Sequence, residues 1–383
     1  MWSTSKMKKI IVISDSFKGT LSSREICEIA RESVPRVFPG CEVVAIPVAD
    51  GGEGTVSCFI EAIGAEPVFV NVSGPFGEQV GAVYARKDAL AIVEMASAAG
   101  LPMAAGRENP ETSTTYGVGE LIRHAIGHGC TEILLGLGGS CTNDGGCGCA
   151  AALGTKFYGA DGSAFIPAGG TLDRIARIDN GEAEALLKNV HITLMSDVTN
   201  PLCGELGAAH VFGPQKGADA AMVERLDANL AHFADVLSHD LGASVAEMPG
   251  AGAAGGMGAG CTALLGAELR SGIEAVLDLV GFDAQLDGAD LVITGEGRID
   301  SQSVRGKVIS GIAKRTQPKG VPLVAIVGSI APDADAAYDL GVTALFGIDR
   351  TAKAFTDYAD ESAAYYQATL EDVLRLIRAF AKT

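Results

Sequence analysis

The residues best suited to chemistry lie together in one stretch, Leu291–Lys307. Leu291–Thr294 is typical of a buried strand, and a strand that runs into charged residues before a helix is how an open α/β sheet builds a ligand site at its carboxyl edge. Carboxylates bind hard cations and Arg or Lys neutralises phosphate, so the mixture favours magnesium-nucleotide chemistry over a plain solvated loop. The polar members are Glu296, Arg298, Asp300, Gln302, Arg305 and Lys307.

The same design recurs at other predicted strand ends, where an apolar run leads into an acidic residue, glycine and a hydroxyl-bearing residue. Glycine lets backbone N–H groups face an anion, and a following helix adds positive potential at its N-terminus. Taken singly, each loop is equally well explained as a helix cap beside a turn. Their repetition favours a ligand site. The five loops are Asp15–Thr20, Asp50–Thr55, Gly136–Gly146, Ser196–Pro201 and Gly295–Lys307.

Common nucleotide motifs are absent or badly placed. The sequence contains neither G-x-x-x-x-G-K-[ST] nor the motif set of protein kinases. Gly250–Gly255 matches G-x-G-x-x-G, but it follows Glu247-Met248-Pro249 and not a strand, which argues against a dinucleotide-binding turn. For Pro249–Gly260 we expect a glycine-rich flap over phosphates, or a loop that moves between domains.

No nucleophile stands beside a base in the sequence. All six histidines fall outside the five loops, and His124 and His128 lack the intervening acid of an H-E-x-x-H site. The remaining carboxylates, lysines and hydroxyls suit phosphoryl transfer, where positioning and charge neutralisation do most of the catalysis. Cys141, Cys147 and Cys149 lack paired C-x-x-C spacing, so packing beside glycine is favoured over zinc.

Length and composition describe a well-buried globular protein. The chain has 383 residues, 48% hydrophobic and 20% charged, enough for two domains. A net charge of −18 argues against nucleic-acid binding, since such proteins need basic faces. Nine cysteines, with no secretory prefix and no apolar run of membrane-spanning length, predict a reduced, cytoplasmic protein without a membrane partner.

Apolar periodicity predicts strands alternating with helices at both ends of the chain, typical of a parallel sheet with helical crossovers. The middle differs, because Val80–Ala85 and Leu90–Met95 read as an antiparallel pair. We therefore predict an α/β protein in which residues 1–73 and 281–383 form a Rossmann-like parallel-sheet domain interrupted by a second inserted α/β domain, residues 74–280. The predicted outer strands are Lys8–Ser14, Cys41–Val48, Pro67–Val72, Leu291–Thr294, Leu323–Val327 and Ala344–Ile348.

Six ordered motifs resemble those of the type-1 glycerate kinase family, from about Lys8 to the C-terminal helix. Cys141 and Val198 are visible departures that change no charged member. The resemblance implies an ATP- and Mg²⁺-dependent kinase for D-glycerate, with the active site in a cleft between two α/β domains and 2-phosphoglycerate favoured over 3-phosphoglycerate. The motifs are Ser14–Gly19, Ala49–Thr55, Gly138–Gly146, Ser196–Leu202, Gly213–Gly217 and Thr294–Asp300.

Catalytic roles follow as hypotheses from the chemistry of these motifs. Asp197 is the first choice for the general base that accepts the hydroxyl proton, and Asp144 is the competitor. Lys18 is expected to hold the substrate carboxylate or a phosphate as a point charge.

Binding roles are assigned in the same way, and the metal set is carboxylate because Mg²⁺ prefers oxygen ligands. Asp50 is equally suited to substrate hydroxyls or the metal. Expected to bind substrate are Asp50, Gly51, Gly52, Ser16 and Arg298; nucleotide or phosphate, Gly138, Gly139, Ser140, Asn143, Gly255, Gly256 and Lys307; and metal, Glu296 and Asp300.

Other functions remain compatible with the sequence. One is a kinase for another small hydroxy acid, and another is a non-catalytic regulator that binds a sugar acid or nucleotide between two lobes. An NAD-linked oxidoreductase rests on Gly250–Gly255 alone. Oligomeric state is left open.

Overall fold

A computed structural model describes residues 7–17, 19–48, 54–301, 308–351 and 359–380. The strands are β1 Lys9–Ser14, β2 Glu42–Pro47, β3 Glu66–Ser73, β4 Gln79–Lys87, β5 Leu90–Glu94, β6 Glu132–Gly136, β7 Lys156–Tyr158, β8 Ala164–Phe165, β9 Arg177–Asp179, β10 His191–Met195, β11 Glu268–Arg270, β12 Leu291–Thr294, β13 Arg298–Ile299, β14 Leu323–Val327, β15 Ser329–Ile330 and β16 Val342–Gly347.

Helices follow most of these strands. They are α1 Ser23–Val37, α2 Thr55–Ile63, α3 Ala96–Ala99, α4 Tyr116–Gly127, α5 Cys147–Leu153, α6 Gly181–Leu187, α7 Ala208–Phe212, α8 Ala220–Leu241, α9 Ala253–Leu265, α10 Gly272–Leu279, α11 Phe282–Gln285, α12 Val308–Lys319, α13 Ala336–Asp339 and α14 Ser362–Phe380. Short 3₁₀ helices lie at Leu101–Ala104, Gly169–Arg174, Pro214–Lys216 and Ala359–Glu361.

The chain divides into two compact units. Unit 1 holds the described residues of Met1–Asp50, Glu61–Ile63 and Ile273–Thr383, and unit 2 holds those of Gly51–Ile60 and Gly64–Gly272. The predicted α/β class is confirmed, with a parallel sheet in unit 1 and a largely parallel one in unit 2.

Unit 1 is built on a five-stranded parallel sheet in the order β16-β14-β12-β1-β2. Its strand β1, which lies between β12 and β2, is an apolar run whose residues Ile10–Ile13 are fully buried, as expected of a strand covered on both faces. Helix α1 begins where Ser22 and Glu25 form a capping box, with the Glu25 N–H donating to Ser22 Oγ at 3.2 Å. The Ser23 hydroxyl donates to the Ser14 carbonyl oxygen at 2.6 Å, which joins the first turn of α1 to the carboxyl end of β1.

Unit 2 contains a six-stranded sheet in the order β11-β10-β6-β5-β4-β3. The neighbours β5, β6, β10 and β11 run parallel, while β3 and β4 are antiparallel additions at one edge. The predicted antiparallel pairing of β4 with β5 is confirmed. The parallel strands bring the loops after β6 and β10 to the same edge of the sheet, as predicted for a ligand site.

The predicted boundary at residue 73 differs from these units. Strand β3 was expected in the Rossmann-like domain, but it pairs along its whole length with β4 in unit 2, from Glu66↔Arg86 to Ser73↔Gln79. Residues 273–280, predicted in the inserted domain, belong to unit 1. Alternation of apolar residues identifies a strand but not the sheet it joins, because both sheets accept the same pattern.

A small three-stranded sheet in the order β8-β7-β9 completes unit 2, a feature that the sequence did not reveal. All nine cysteines are free thiols, and most are buried. Among the described residues, no helix combines the length and apolar character required to span a membrane.

Candidate active site

Two neighbouring strands of unit 1, β1 and β12, place two of the predicted loops side by side at their carboxyl ends. The Asp15 N–H donates to the carbonyl oxygen of Gly295 at 2.9 Å. A Cβ atom on Gly295 would lie 2.0 Å from the carbonyl oxygen of Ile326, so only glycine permits this approach. Ser16 is partly exposed, and its N–H donates to Asp15 Oδ1 at 2.7 Å. The structure thus brings Ser16 onto the loop adjacent to the one that carries Glu296.

The loop after β12 presents its charged residues unequally. Glu296 is 7% exposed, Asp300 is partly exposed, and Arg298 is exposed at the start of β13. A hydrogen bond from the Ser301 side chain lowers the pKa of the Asp333 carboxyl, and the Arg298 charge adds to that effect. Arg298 therefore acts on a neighbouring carboxylate as well as facing solvent.

Five of the predicted site residues lie outside the described part of the structure. They are Lys18, Asp50, Gly51, Gly52 and Lys307. Their proposed roles rest on the sequence alone.

In unit 2 the loop after β6 is held by backbone hydrogen bonds to the segment after α3. The Leu101 N–H donates to the Gly139 carbonyl at 2.8 Å, and the Cys141 N–H donates to the Ala99 carbonyl at 3.0 Å. Gly139 is exposed with φ +73°, and Gly138 is partly exposed. The predicted phosphate-binding glycines of this loop therefore reach the surface on a braced backbone.

Asp144, the second candidate for the general base, is fully buried, and its carboxylate accepts hydrogen bonds from donors inside the protein. Its Oδ2 accepts from the Thr115 N–H at 2.8 Å and the Thr115 hydroxyl at 2.9 Å. The N–H groups of Gly146 and Gly148 donate to its two oxygens at 3.1 and 3.2 Å. Burial raises the pKa of this carboxyl, and the hydrogen bonds oppose the rise. Asp144 is therefore a structural anchor for the start of α5, and a carboxylate without exposed surface is a poorer candidate for the general base than an exposed one.

The prediction of a loop at Pro249–Gly260, either a flap over phosphates or a loop that moves between domains, is wrong, because most of this segment forms the buried helix α9. Gly255 and Gly256 are kinked within it, with φ of +69° and +89°. A Cβ atom on Gly255 would lie 2.1 Å from the Thr142 carbonyl oxygen and 2.6 Å from Cα of Asn143. Both glycines are buried and pack against the β6 loop.

Asn143, predicted to bind nucleotide, has no exposed surface. Within the part of the chain that the structure describes, neither its amide nitrogen nor its amide oxygen has a hydrogen-bond partner. Burying such a group without partners costs free energy, so this loop stores an unsatisfied polar group beneath its surface.

Lys216 is a residue to which the sequence assigned no role, although its motif Gly213–Gly217 belongs to the resemblance. It ends the 3₁₀ helix Pro214–Lys216 and is 2% exposed. Its ammonium donates to Ser140 Oγ at 2.8 Å and to the Thr142 carbonyl oxygen at 2.6 Å. Burial lowers its pKa to about 8. The sequence shows only a lysine followed by glycine, a pattern that does not predict burial.

Asp197, the first choice for the general base, lies just beyond the carboxyl end of β10 and is partly exposed. Its Oδ1 accepts from the Ser271 hydroxyl at 2.8 Å and from the Gly272 N–H at 2.9 Å. Ser271 and Gly272 follow the neighbouring strand β11, so two adjacent strand ends orient this carboxylate. Asp197 has the exposure that Asp144 lacks.

Comparison with known proteins identifies the family. The sequence model of the glycerate kinase family matches residues 10–378. The chain belongs to this family. A glycerate kinase of Bacillus cereus is 46% identical over 343 residues, covering 89% of this chain and 90% of the relative. A glycerate 2-kinase of Escherichia coli is 43% identical, with the same two shares covered.

The family likeness extends to three dimensions. A crystal structure assigned to glycerate kinase 2 from Salmonella typhimurium LT2 superposes with a TM-score of 0.87 at 40% sequence identity. The match covers 98% of this chain and all of the other chain. The glycerate kinase family match therefore includes both units and each of the strand-end loops described above.

Proposed function

We propose that this protein is a glycerate kinase that transfers the terminal phosphoryl group of ATP to D-glycerate, with the 2-hydroxyl as the favoured acceptor. The observation that carries the proposal is the family match over residues 10–378, which spans both units and their polar loops. Phosphoryl transfer needs oriented carboxylates and positive charge more than a nucleophilic side chain, and the loops supply both.

Asp197 is the proposed general base. It lies at a strand end, it is partly exposed, and two donors hold its Oδ1. A carboxylate oriented in this way accepts the proton of the attacking hydroxyl as the phosphoryl group is transferred. Lys18, with Asp50, Gly51, Gly52, Ser16 and Arg298, is proposed to bind the substrate.

The loop after β6 is the proposed phosphate-binding segment, through Gly138, Gly139 and Ser140. Gly138 and Gly139 reach the surface, and Gly139 and Ser140 are held by backbone or side-chain hydrogen bonds. Lys307 is proposed as a further phosphate ligand from the sequence motif alone.

Glu296 and Asp300 are proposed to hold Mg²⁺ in unit 1. The described residues contain no preformed group of three or more side chains of the metal-binding types. Magnesium commonly takes one or two carboxylates together with phosphate oxygens and water, so a pair of carboxylates on one loop fits it chemically. When bound, the ion supplies neutralisation of the charge on the transferring phosphoryl group. We propose that the reaction takes place in the cytoplasm.

A coupled assay tests the proposal. Protein, ATP, Mg²⁺ and D-glycerate are mixed with enolase, and phosphoenolpyruvate is followed with and without phosphoglycerate mutase. Immediate signal without mutase is the expected result and identifies 2-phosphoglycerate. A signal that appears only after mutase is added still supports glycerate kinase activity, but identifies 3-phosphoglycerate as the product. Asp197→Asn serves as the matched impaired variant, with kcat/KM lowered at least about tenfold, or about 1.4 kcal/mol, and with the fold intact.

Failure of the assay has a defined meaning. Production of ADP that does not depend on D-glycerate, with no signal under either condition, overturns the substrate and directs the test to other small hydroxy acids. Binding of ATP without turnover of any acid favours the regulator, and hydride transfer to NAD favours the oxidoreductase.

A further inference from the structure

The hydrogen bond between Lys216 and Ser140 has a fixed direction. A protonated lysine carries three N–H donors and no acceptor, so its Nζ donates and Ser140 Oγ accepts, over 2.8 Å. The hydroxyl of Ser140 therefore keeps its own hydrogen for another partner. Serine hydroxyls rotate freely where no such neighbour constrains them.

The position of Ser140 is also fixed. Its backbone forms an isolated antiparallel bridge with Gly100, and the residues on either side, Gly139 and Cys141, are hydrogen-bonded to Leu101 and Ala99. Ser140 is 7% exposed, next to the exposed Gly139. Among the residues that the structure describes, no acceptor for the Ser140 hydroxyl hydrogen is found, so this hydrogen is available to a ligand at the neighbouring surface.

The hydrogen-bond partners of the Lys216 ammonium do not neutralise its charge. Both of its hydrogen-bond acceptors are neutral oxygen atoms, one a hydroxyl and one a carbonyl. Cys141 is nearby, and burial raises the pKa of its thiol to about 11, so it is uncharged near neutral pH. Asp144 adds a more distant interaction, and its oxygens accept from Thr115, Gly146 and Gly148.

Glu108 is a further charged group near Lys216. It packs against Gly217, the next residue in the chain, where an added Cβ would lie 2.6 Å from the Cβ of Glu108. Hydrogen bonds from backbone N–H groups lower the pKa of Glu108, so it stays anionic as the pH rises above neutrality. Lys216 is therefore the member of this group whose charge changes in the mildly alkaline range.

We propose that Lys216 is a positioning residue that makes the Ser140 hydroxyl an obligatory hydrogen-bond donor to an anionic oxygen of a ligand. The oxygen belongs to a nucleotide phosphate or to the carboxylate of the acid substrate. This inference rests on the proposed function for the identity of the ligand. It adds a residue that never touches the ligand and that acts on it through Ser140.

Calorimetric titration with ADP and, separately, with D-glycerate tests the inference. The proteins are the wild type, Ser140→Ala, Lys216→Met and the double variant, with Lys156→Met as the matched control because Lys156 is half-exposed and contacts Glu182 at 3.3 Å. Each single variant is expected to weaken one of the two ligands about tenfold, as loss of a hydrogen bond to a charged group does. The ligand that weakens identifies the source of the oxygen.

The double variant separates positioning from structural damage. Because Lys216 acts through Ser140, the double variant is expected to bind no more weakly than Ser140→Ala. If the loss of affinity in the double variant equals the product of the losses in the two single variants, the proposal is wrong. It is also wrong if Ser140→Ala binds both ligands as the wild type does. Lys216→Arg is expected to restore much of the affinity, since it keeps the charge.

A second measurement applies if Lys216→Met fails to fold. In the wild type, affinity for the ligand is expected to fall as the pH rises through about 8, because a neutral amine accepts the Ser140 hydrogen and removes it from the ligand. Ser140→Ala is expected to lack this dependence, and a parallel decline in Ser140→Ala overturns the proposal. If the protein phosphorylates D-glycerate but Ser140→Ala binds both ligands normally, this inference is wrong and the proposed function stands. If Ser140→Ala weakens ADP binding but the wild type does not phosphorylate D-glycerate, only the proposed substrate is wrong.

Discussion

The Ser271 hydroxyl donates to Oδ1 of Asp197 at 2.8 Å, at the end of the strand next to the one that leads into Asp197. The Gly272 N–H donates to the same oxygen at 2.9 Å. Gly272 is also the last residue of unit 2 and the first residue of α10. The proposed base is therefore oriented by the place where the chain returns to unit 1.

Replacing Ser271 with alanine is expected to lower kcat about tenfold with little change in either KM, because a hydrogen bond to a carboxylate contributes about 1.5 kcal/mol. Steady-state kinetics on both substrates measure this split. Ser163→Ala is the matched control, since the Ser163 hydroxyl donates to Asp161 at 2.6 Å in an exposed turn. A raised KM with unchanged kcat would contradict the orienting role, and Ser271→Thr is expected to recover activity.

Asp144→Ala is expected to lower the free energy of unfolding by about 3 kcal/mol or more, because it leaves several buried donors without an acceptor. Urea denaturation measures the loss. Asp161→Ala removes an exposed carboxylate from a turn and is expected to change the stability far less. Equal losses in the two variants would show that Asp144 does not anchor the start of α5.

Lys216 is expected to make stability depend on alkaline pH. Its pKa is lowered from 10.5 to about 8 in the folded protein, mainly by burial, so between these values the unfolded chain binds more protons than the folded one. The free energy of unfolding therefore rises with pH across this window, by on the order of 3 kcal/mol. Urea denaturation from neutral to alkaline pH measures the slope.

Comparison of the wild type with Lys216→Met isolates this effect from other titrating groups. The variant is expected to lose the rise, while remaining at least as stable below pH 8, because it no longer buries a charge. An identical slope in both proteins would mean that Lys216 keeps an ordinary pKa. Stability and ligand affinity are thus expected to change in opposite directions with pH.

Gly255→Ala is expected to destabilise unit 2 far more than Gly242→Ala. The two glycines have nearly equal φ, +69° and +67°, so the conformational cost of about 1 kcal/mol is shared. A Cβ on Gly255 meets the Thr142 carbonyl at 2.1 Å, whereas nothing lies within 4 Å of one on Gly242. Thermal unfolding of both variants measures the difference, and similar melting temperatures would contradict the packing of α9 against the β6 loop.

Buried strands were predictable from the sequence because their residues are apolar without interruption. Leu291–Thr294 and Leu323–Val327 were predicted with the bounds that the structure has. Strand β3 was recognised as a strand but placed in the wrong sheet, since its partner is decided by tertiary pairing. Helix α9 was missed because its glycines resemble a loop until their close packing is known.

The candidate site was predictable in its loops but not in the depth of each side chain. Asp144 and Asp197 both follow a strand in a polar motif, and nothing in their spacing separates a fully buried carboxylate from a partly exposed one. Lys216 escaped notice for the opposite reason, because an isolated lysine is ordinarily exposed. Burial depends on contacts between Pro214–Lys216 and a loop some seventy residues earlier, which no local pattern encodes.

Strand β1 is paired on one side with β2 and on the other with β12, with Ile10 opposite Leu291. During synthesis on the ribosome, the first two strands therefore emerge long before the strands that complete their sheet. Unit 2 has its own hydrophobic core and can fold while β1 still exposes an open edge. Nascent chains that stall before Leu291 are thus expected to be substrates for chaperones. The sheet of unit 1 cannot be completed until the late strands have been synthesised.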